Sequence, residues 1–170
     1  MISKNFFYAA FCVLVVAAPV SAQQKLENGT SFKDWRLACR ATEGGAQFCT
    51  LIQQLTARDS GKFLAEVGLQ PAEIEGKKGL VMALSTPTDM ALTMNPGYRL
   101  SYETDVLPMQ WRTCSATACL ASRLLQPEEV SRLKRGHKIL LGYQPAKATE
   151  STLFEVSLSG VTAGLAAIGR

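Results

Sequence analysis

Four cysteines set in two close pairs constrain this chain more than any other feature. Cys39 and Cys49 stand ten residues apart, and Cys114 and Cys119 five. Phe32 to Ala38 reads as a strand, Cys49-Thr50-Leu51-Ile52 as another, and Thr42-Glu43-Gly44-Gly45 between them is turn chemistry. A hairpin centred on Gly44 sets Cys39 opposite Cys49 and Leu37 opposite Leu51. It also places Trp35, Leu37 and Cys39 on one face. Cys114-Ser115-Ala116-Thr117-Ala118-Cys119 is a tight loop between two further strand-like runs, within bridging reach. Four cysteines allow three connectivities. Chain entropy gives roughly 2–3 kcal/mol for each local bridge and about 4.5 kcal/mol for a long one such as 39–119, so stability alone does not choose. Proximity during folding favours 39–49 with 114–119. A redox dithiol is the catalytic alternative, but such pairs normally use C-x-x-C, and the second pair here is C-x4-C.

A fifth cysteine, Cys12, makes the count odd. It lies in the apolar run Phe6 to Ala18, preceded by Lys4 and followed by Pro19 and the small residues Val20-Ser21-Ala22. That order is the mark of a cleaved secretory signal at 1–22. The apolar run is about 13 residues, short of the roughly 20 that span a bilayer. Cleavage after Ala22 removes Cys12 and leaves four cysteines for an oxidising compartment. Residues 23–31 are polar and read as a flexible lead-in. Residues 32–170 then form one domain, and no transmembrane segment is expected in the mature chain. Lys4 is the only charged residue in the leader. The mature chain therefore carries 17 of the 18 basic residues against 14 acidic ones, a mild excess. No nucleic-acid partner is expected.

Past the lead-in, period-two alternation recurs in short blocks. Phe63, Ala65, Val67 and Leu69 share a face. Gly79 to Ser85 is apolar on both faces. Tyr98, Leu100 and Tyr102 alternate, as do Leu107, Met109, Trp111 and Thr113, with Pro108 marking an edge or a strand start. Cys119 to Leu125, His137 to Tyr143 and Thr152 to Ser159 complete about nine short strands. The expected fold is all-β, an antiparallel β-sandwich. One short helix is expected near 127–135: Pro127 and two glutamates open it, Val130 and Leu133 give the apolar spacing, Lys134 and Arg135 close it, and Gly136 stops it. The tail Val161 to Ile168 reads equally as a strand or a docking helix.

Chemistry-bearing patterns are sparse. His137, the one histidine, sits among cations and offers neither a metal-ligand set nor a well-placed general base. Ser159-Gly160 lacks the upstream glycine of a nucleophile elbow. Glu128 and Glu129 are adjacent and helical, so they cannot face each other across a sugar. No phosphate loop, zinc-helix or calcium-loop pattern appears. No cofactor, metal or catalytic residue is expected. Two surface features are candidates. The run Arg132, Lys134, Arg135 and Lys138 reads as a solvated helix end, or as a patch for an acidic partner. Thr86 to Gly97 reads as a loop capping the core, or as an exposed apolar contact surface.

The ordered motifs resemble a known family. F-x-D-W-R-L-x-C (Phe32 to Cys39) leads to F-C-x-L-x-Q (Phe48 to Gln53). The T-P pair Thr86-Pro87, C-x4-C with Ala121 just beyond, and S-L-S-G-V-T-A-G-L (Ser157 to Leu165) follow. In this order they are similar to the invasion-associated locus B proteins of Gram-negative bacteria. Val161 and Gly164 depart from the pattern, where the family implies Phe and Ala. The resemblance implies a periplasmic, envelope-associated or secreted β domain with no established catalytic activity, linked by its name to host-cell invasion. It also implies structural bridges at Cys39, Cys49, Cys114 and Cys119. Three functions stay open: a non-enzymatic envelope factor that binds an envelope or host protein or an acidic surface component, a thiol-disulfide helper or other enzyme acting through a cysteine pair, and a binder of lipid or another small ligand inside the sandwich.

Overall fold

The first hairpin has the register that its turn and its alternation require. β1 (Ser31–Phe32) pairs with β2 (Trp35–Ala41), and β2 pairs with β3 (Gln47–Thr56) so that Cys39 opposes Cys49 and Leu37 opposes Leu51. Gly45 turns the chain at positive φ, its N–H donating to the Thr42 carbonyl. The computed structural model describes residues 26–74 and 76–169. The expected leader at 1–22 and the start of the lead-in lie outside these. The described part of the lead-in is tied down rather than free. Gly29 N–H donates to the Leu37 carbonyl, Leu37 N–H to the Thr30 carbonyl, and Cys39 N–H to Asn28 Oδ1. β2 needs partners along its outer edge, and these residues supply them.

β4 (Phe63–Ile74) and β5 (Lys77–Thr86) extend the sheet. The chain then leaves it for a second sheet, where β6 (Gly97–Leu100) pairs with β7 (Leu107–Pro108). It returns as β8 (Gln110–Cys114) and β9 (Cys119–Leu125), with β9 beside β5. Helix α1 (Pro127–Arg135), strands β10 (Lys138–Tyr143) and β11 (Thr152–Ser157), and helix α2 (Val161–Ile168) complete the chain. The sheets are antiparallel, in the orders β1-β2-β3-β4-β5-β9-β8 and β11-β10-β6-β7. The expected single strand through Leu107 to Thr113 is in fact two strands in different sheets. Met109, fully buried at the crossover, donates its N–H to the Pro96 carbonyl. Pro108 cannot donate to a ladder, which suits the edge position of β7.

One core joins both sheets and both helices. Trp35, Leu37, Leu51, Val67, Leu69, Met82 and Leu84 come from the larger sheet, and Tyr98, Leu100, Ile139, Leu141, Phe154 and Val156 from the smaller. Each fully buried aliphatic side chain contributes roughly 1.5–3 kcal/mol by leaving water. The tail is a helix because Val161 and Leu165, one turn apart, are both buried. Gly160 precedes it at φ 100°, and a Cβ there would lie 1.8 Å from the Phe32 carbonyl oxygen. Only glycine lets the chain turn so close to β1.

Candidate functional site

Both cysteine pairs sit directly opposite one another at hairpin ends. The Sγ atoms are 2.10 Å apart for Cys39–Cys49 and 1.99 Å for Cys114–Cys119. Cys49 and Cys119 are buried, Cys39 is half-buried and Cys114 is exposed. Among the described residues no group of three or more His, Cys, Asp or Glu is placed to hold a metal, and no helix is long and apolar enough to cross a membrane.

The basic run does not assemble into one patch of free cations. Arg132 Nη1 donates to Glu103 Oε1 at 3.0 Å, and that bond raises the guanidinium above its ordinary pKa. Lys138, on β10, pairs with Glu155 of β11. Lys134 and Arg135 are exposed and form no ion pair among the described residues. Two of the four cations are thus neutralised by acidic side chains, and two are exposed. In the loop before β6, Leu92 and Met94 are exposed, while Met90 packs against the core.

A hydrogen-bonded junction forms where β11 approaches the start of β2 and the middle of β3. Gln53 Nε2 donates to the carbonyls of Asp34 (3.0 Å) and Ser157 (3.3 Å), and Gln53 Oε1 accepts the Ser157 N–H at 3.0 Å. The indole N–H of Trp35 donates to the Ser157 carbonyl at 2.8 Å, and the Ser157 hydroxyl to Asp34 Oδ2 at 2.6 Å. The Gln53 amide therefore meets Ser157 as a neighbouring strand's peptide group would.

Beyond this junction the sheets part. A cleft of about 650 Å³ opens between β11 and the stretch running from Gln53 to Arg58. Leu55, Leu64 and Phe154 give it apolar walls, with Asp34 at one end and Arg58 at the other. Leu153, 62 % exposed, borders both this cleft and a hollow of about 300 Å³ on the outer face, which Met94 and Val106 also line.

The model of the family described as invasion associated locus B (IalB) protein matches residues 35–169, most of the chain. The chain belongs to this family. The fold agrees with the crystal structure of invasion associated protein b from Bartonella henselae, at TM-score 0.65 and 16 % identity, over 84 % of this chain and 92 % of that one. No curated protein matches the chain in sequence. Three of the blocks that carry the IalB resemblance (Asp34-Trp35, Gln53 and Ser157 with Ser159) meet in the junction, where Asp34 N–H also donates to the Ser159 carbonyl.

One cluster in this IalB fold escaped the sequence. Glu129 is 5 % exposed. Its Oε1 accepts from Arg123 Nη2 at 2.8 Å, Arg123 Nε at 3.1 Å and the Tyr98 hydroxyl at 3.4 Å, while Oε2 accepts the Gln126 N–H at 2.7 Å. Arg123 also reaches the Pro108 carbonyl at 3.0 Å. Burial, and next the Glu129 carboxylate, push the Tyr98 hydroxyl well above its ordinary pKa. The cluster pins α1 to β6, β7 and β9. The only sequence signal for it is the capping pattern, Glu129 three residues after Gln126, which names the helix start and none of the distant partners.

Proposed function

We propose that this chain is an exported, non-enzymatic binding module of the cell envelope, comprising residues 32–170 after loss of a leader at 1–22. It supports host-cell contact or envelope integrity by holding a partner: an envelope or host protein, or an acidic surface component. One observation carries the reading. The buried polar groups, at Gln53–Ser157 and at Glu129–Arg123–Tyr98, join strands and helices to one another, while an open cleft with apolar walls remains at a sheet edge. The two hairpin bridges favour an oxidising compartment.

The test is a deletion strain of the native bacterium. Loss of host-cell entry or of resistance to envelope stress, restored by the intact gene, supports the proposal. Unchanged entry and unchanged envelope resistance remove it.

The thiol-disulfide reading keeps one supporting observation, since exposed Cys114 is bonded to buried Cys119. Thiol trapping in intact cells decides it. Structural bridges leave all four mature cysteines blocked until strong reduction; a cycling pair yields a labelled, partly reduced population.

A further inference from the structure

Among the described residues the sheets have four edges, and one of them is both long and regular. β1 and β7 have two residues each, and β8 carries a bulge between Trp111 and Thr113. Short and bulged edges resist pairing with another chain. β11 has six residues, paired without interruption to β10 on its inner side. Among the described residues its outer side is closed only at Ser157, where the Gln53 amide takes the N–H and shares the carbonyl with the Trp35 indole. Backbone groups of alternate residues in an antiparallel strand point the same way. Those of Leu153 and Glu155 therefore face the free edge with Ser157, and both residues line the cleft.

The opposite wall is a second open edge. Leu37 exchanges its N–H and carbonyl with Thr30 and Gly29, so Arg36 and Ala38 face β3. Ile52 then faces β2, and so does Gln54 two residues on. β2 begins at Trp35 and its ladder with β3 ends at Arg36↔Ile52, which leaves Gln54 without a strand partner on that side among the described residues.

We propose that this cleft is a strand-addition slot that takes an extended polypeptide segment of a partner protein. The inference rests on the binding-module reading above and names its surface and partner class. Peptide backbone is the chemistry that complements paired donors and acceptors at alternate residues, and the Gln53 amide already occupies one such position. The charges set the segment's polarity. Asp34 lies at the Ser157 end and Arg58 at the other, and neither forms an ion pair among the described residues. A segment antiparallel to β11 runs from the Asp34 end to the Arg58 end. It carries a basic residue first, an acidic residue or its own C-terminal carboxylate last, and apolar side chains between them facing Leu55, Leu64 and Phe154. The edge from Leu153 to Ser157 spans roughly 13 Å, which fits a segment of about four or five residues. A second copy of this chain fits less well, because Gln53 interrupts the edge that two β11 strands would share.

The probe is a displayed library of random ten-residue peptides, selected against the oxidised exported chain. The expected winners alternate apolar and polar residues with a basic-to-acidic polarity. As synthetic peptides at saturation they slow amide exchange of Leu153 and Glu155 at least tenfold, and N-methylation on their edge-facing side removes binding. Glu155→Pro removes an outward N–H without touching the β10 ladder and should abolish capture. Should that variant fail to keep the Ile139 and Leu141 amides protected, Arg58→Glu serves in its place, and its selected peptides should carry a basic residue last. No enrichment, protection mapped to other residues, indifference to N-methylation, or exchange slowed only by self-association would each overturn the slot. A strain carrying Glu155→Pro that enters host cells normally, while the deletion strain does not, removes the slot and leaves the binding-module reading standing.

Discussion

Gly164 of α2 rests directly on Leu51 of β3. A Cβ built on Gly164 would stand 2.5 Å from Leu51 Cδ1, 2.6 Å from Cδ2 and 3.1 Å from Cγ. Leu51 is fully buried, so its whole side chain, not one flexible end, blocks the methyl. Alanine improves helix propensity by about 1 kcal/mol, but overpacking typically costs about 1–3 kcal/mol. Gly164→Ala should lower stability by up to about 2 kcal/mol in urea unfolding. Adding Leu51→Val should recover part of that loss, giving a coupling that a double-mutant cycle reads directly. Purely additive effects would place the strain elsewhere.

Buried Glu129 holds the partly exposed Arg123 guanidinium by two hydrogen bonds. Removing one partner leaves an uncompensated charge. Glu129→Ala should therefore cost up to about 3 kcal/mol, the low end for a buried pair because Arg123 keeps some water and its bond to the Pro108 carbonyl, and more than the exposed-pair variant Lys138→Ala, whose loss should stay below about 1 kcal/mol. Replacing both partners, as Arg123→Met with Glu129→Leu, should be less damaging than Glu129→Ala alone. Thermal unfolding of the three variants checks the order.

These two contacts mark where the sequence is readable. The Cys39–Cys49 register and the ends of α1 follow from chemistry within a dozen residues: turn glycines, alternation, a proline start and a glycine stop. Gln53 and Ser157 each lie in a recognisable block, yet 104 residues separate them, and no local pattern states that one pairs with the other. Glu129 reads as a dipole-stabilising glutamate because its capping role is local and its arginine belongs to a different element. The alternation across Leu107 to Thr113 is real, but period two cannot say that the strand changes sheet at Met109.

The buried phenols give the fold an alkaline limit. Burial raises the hydroxyls of Tyr98 and Tyr143 above their ordinary pKa, with Glu129 adding to the effect at Tyr98. The unfolded chain releases these protons near pH 10, whereas the folded chain keeps them. The unfolded state then binds fewer protons, so stability is full below about pH 10 and falls as pH rises beyond it. Tyr98→Phe should reduce that slope between about pH 10 and 11.5, by up to about 1.4 kcal/mol per pH unit, whatever it does to stability at neutral pH. An unchanged slope in urea titrations would show that Tyr98 ionises as freely in the fold as outside it.

The Gln53 amide closes the β11 edge at Ser157 together with the Trp35 indole, and its two ends do different work. Oε1 accepts from the Ser157 N–H, while Nε2 donates to the carbonyls of Asp34 and Ser157. Gln53→Leu removes both functions and leaves the N–H of Ser157 without its partner, an expected loss of about 1–3 kcal/mol. Gln53→Glu keeps the acceptor, but at neutral pH sets a carboxylate against two carbonyl oxygens. That environment disfavours the charged form and raises the folded-state pKa of the new glutamate above its unfolded value near 4.3. The penalty is therefore complete above the folded pKa and fades as pH falls through it, because a protonated carboxyl can donate again. Relative to the wild-type chain, Gln53→Glu should regain stability between pH 7 and pH 4 while Gln53→Leu does not. Parallel urea curves for both variants across that range would show that the amide's donor end contributes nothing to holding β11 in place.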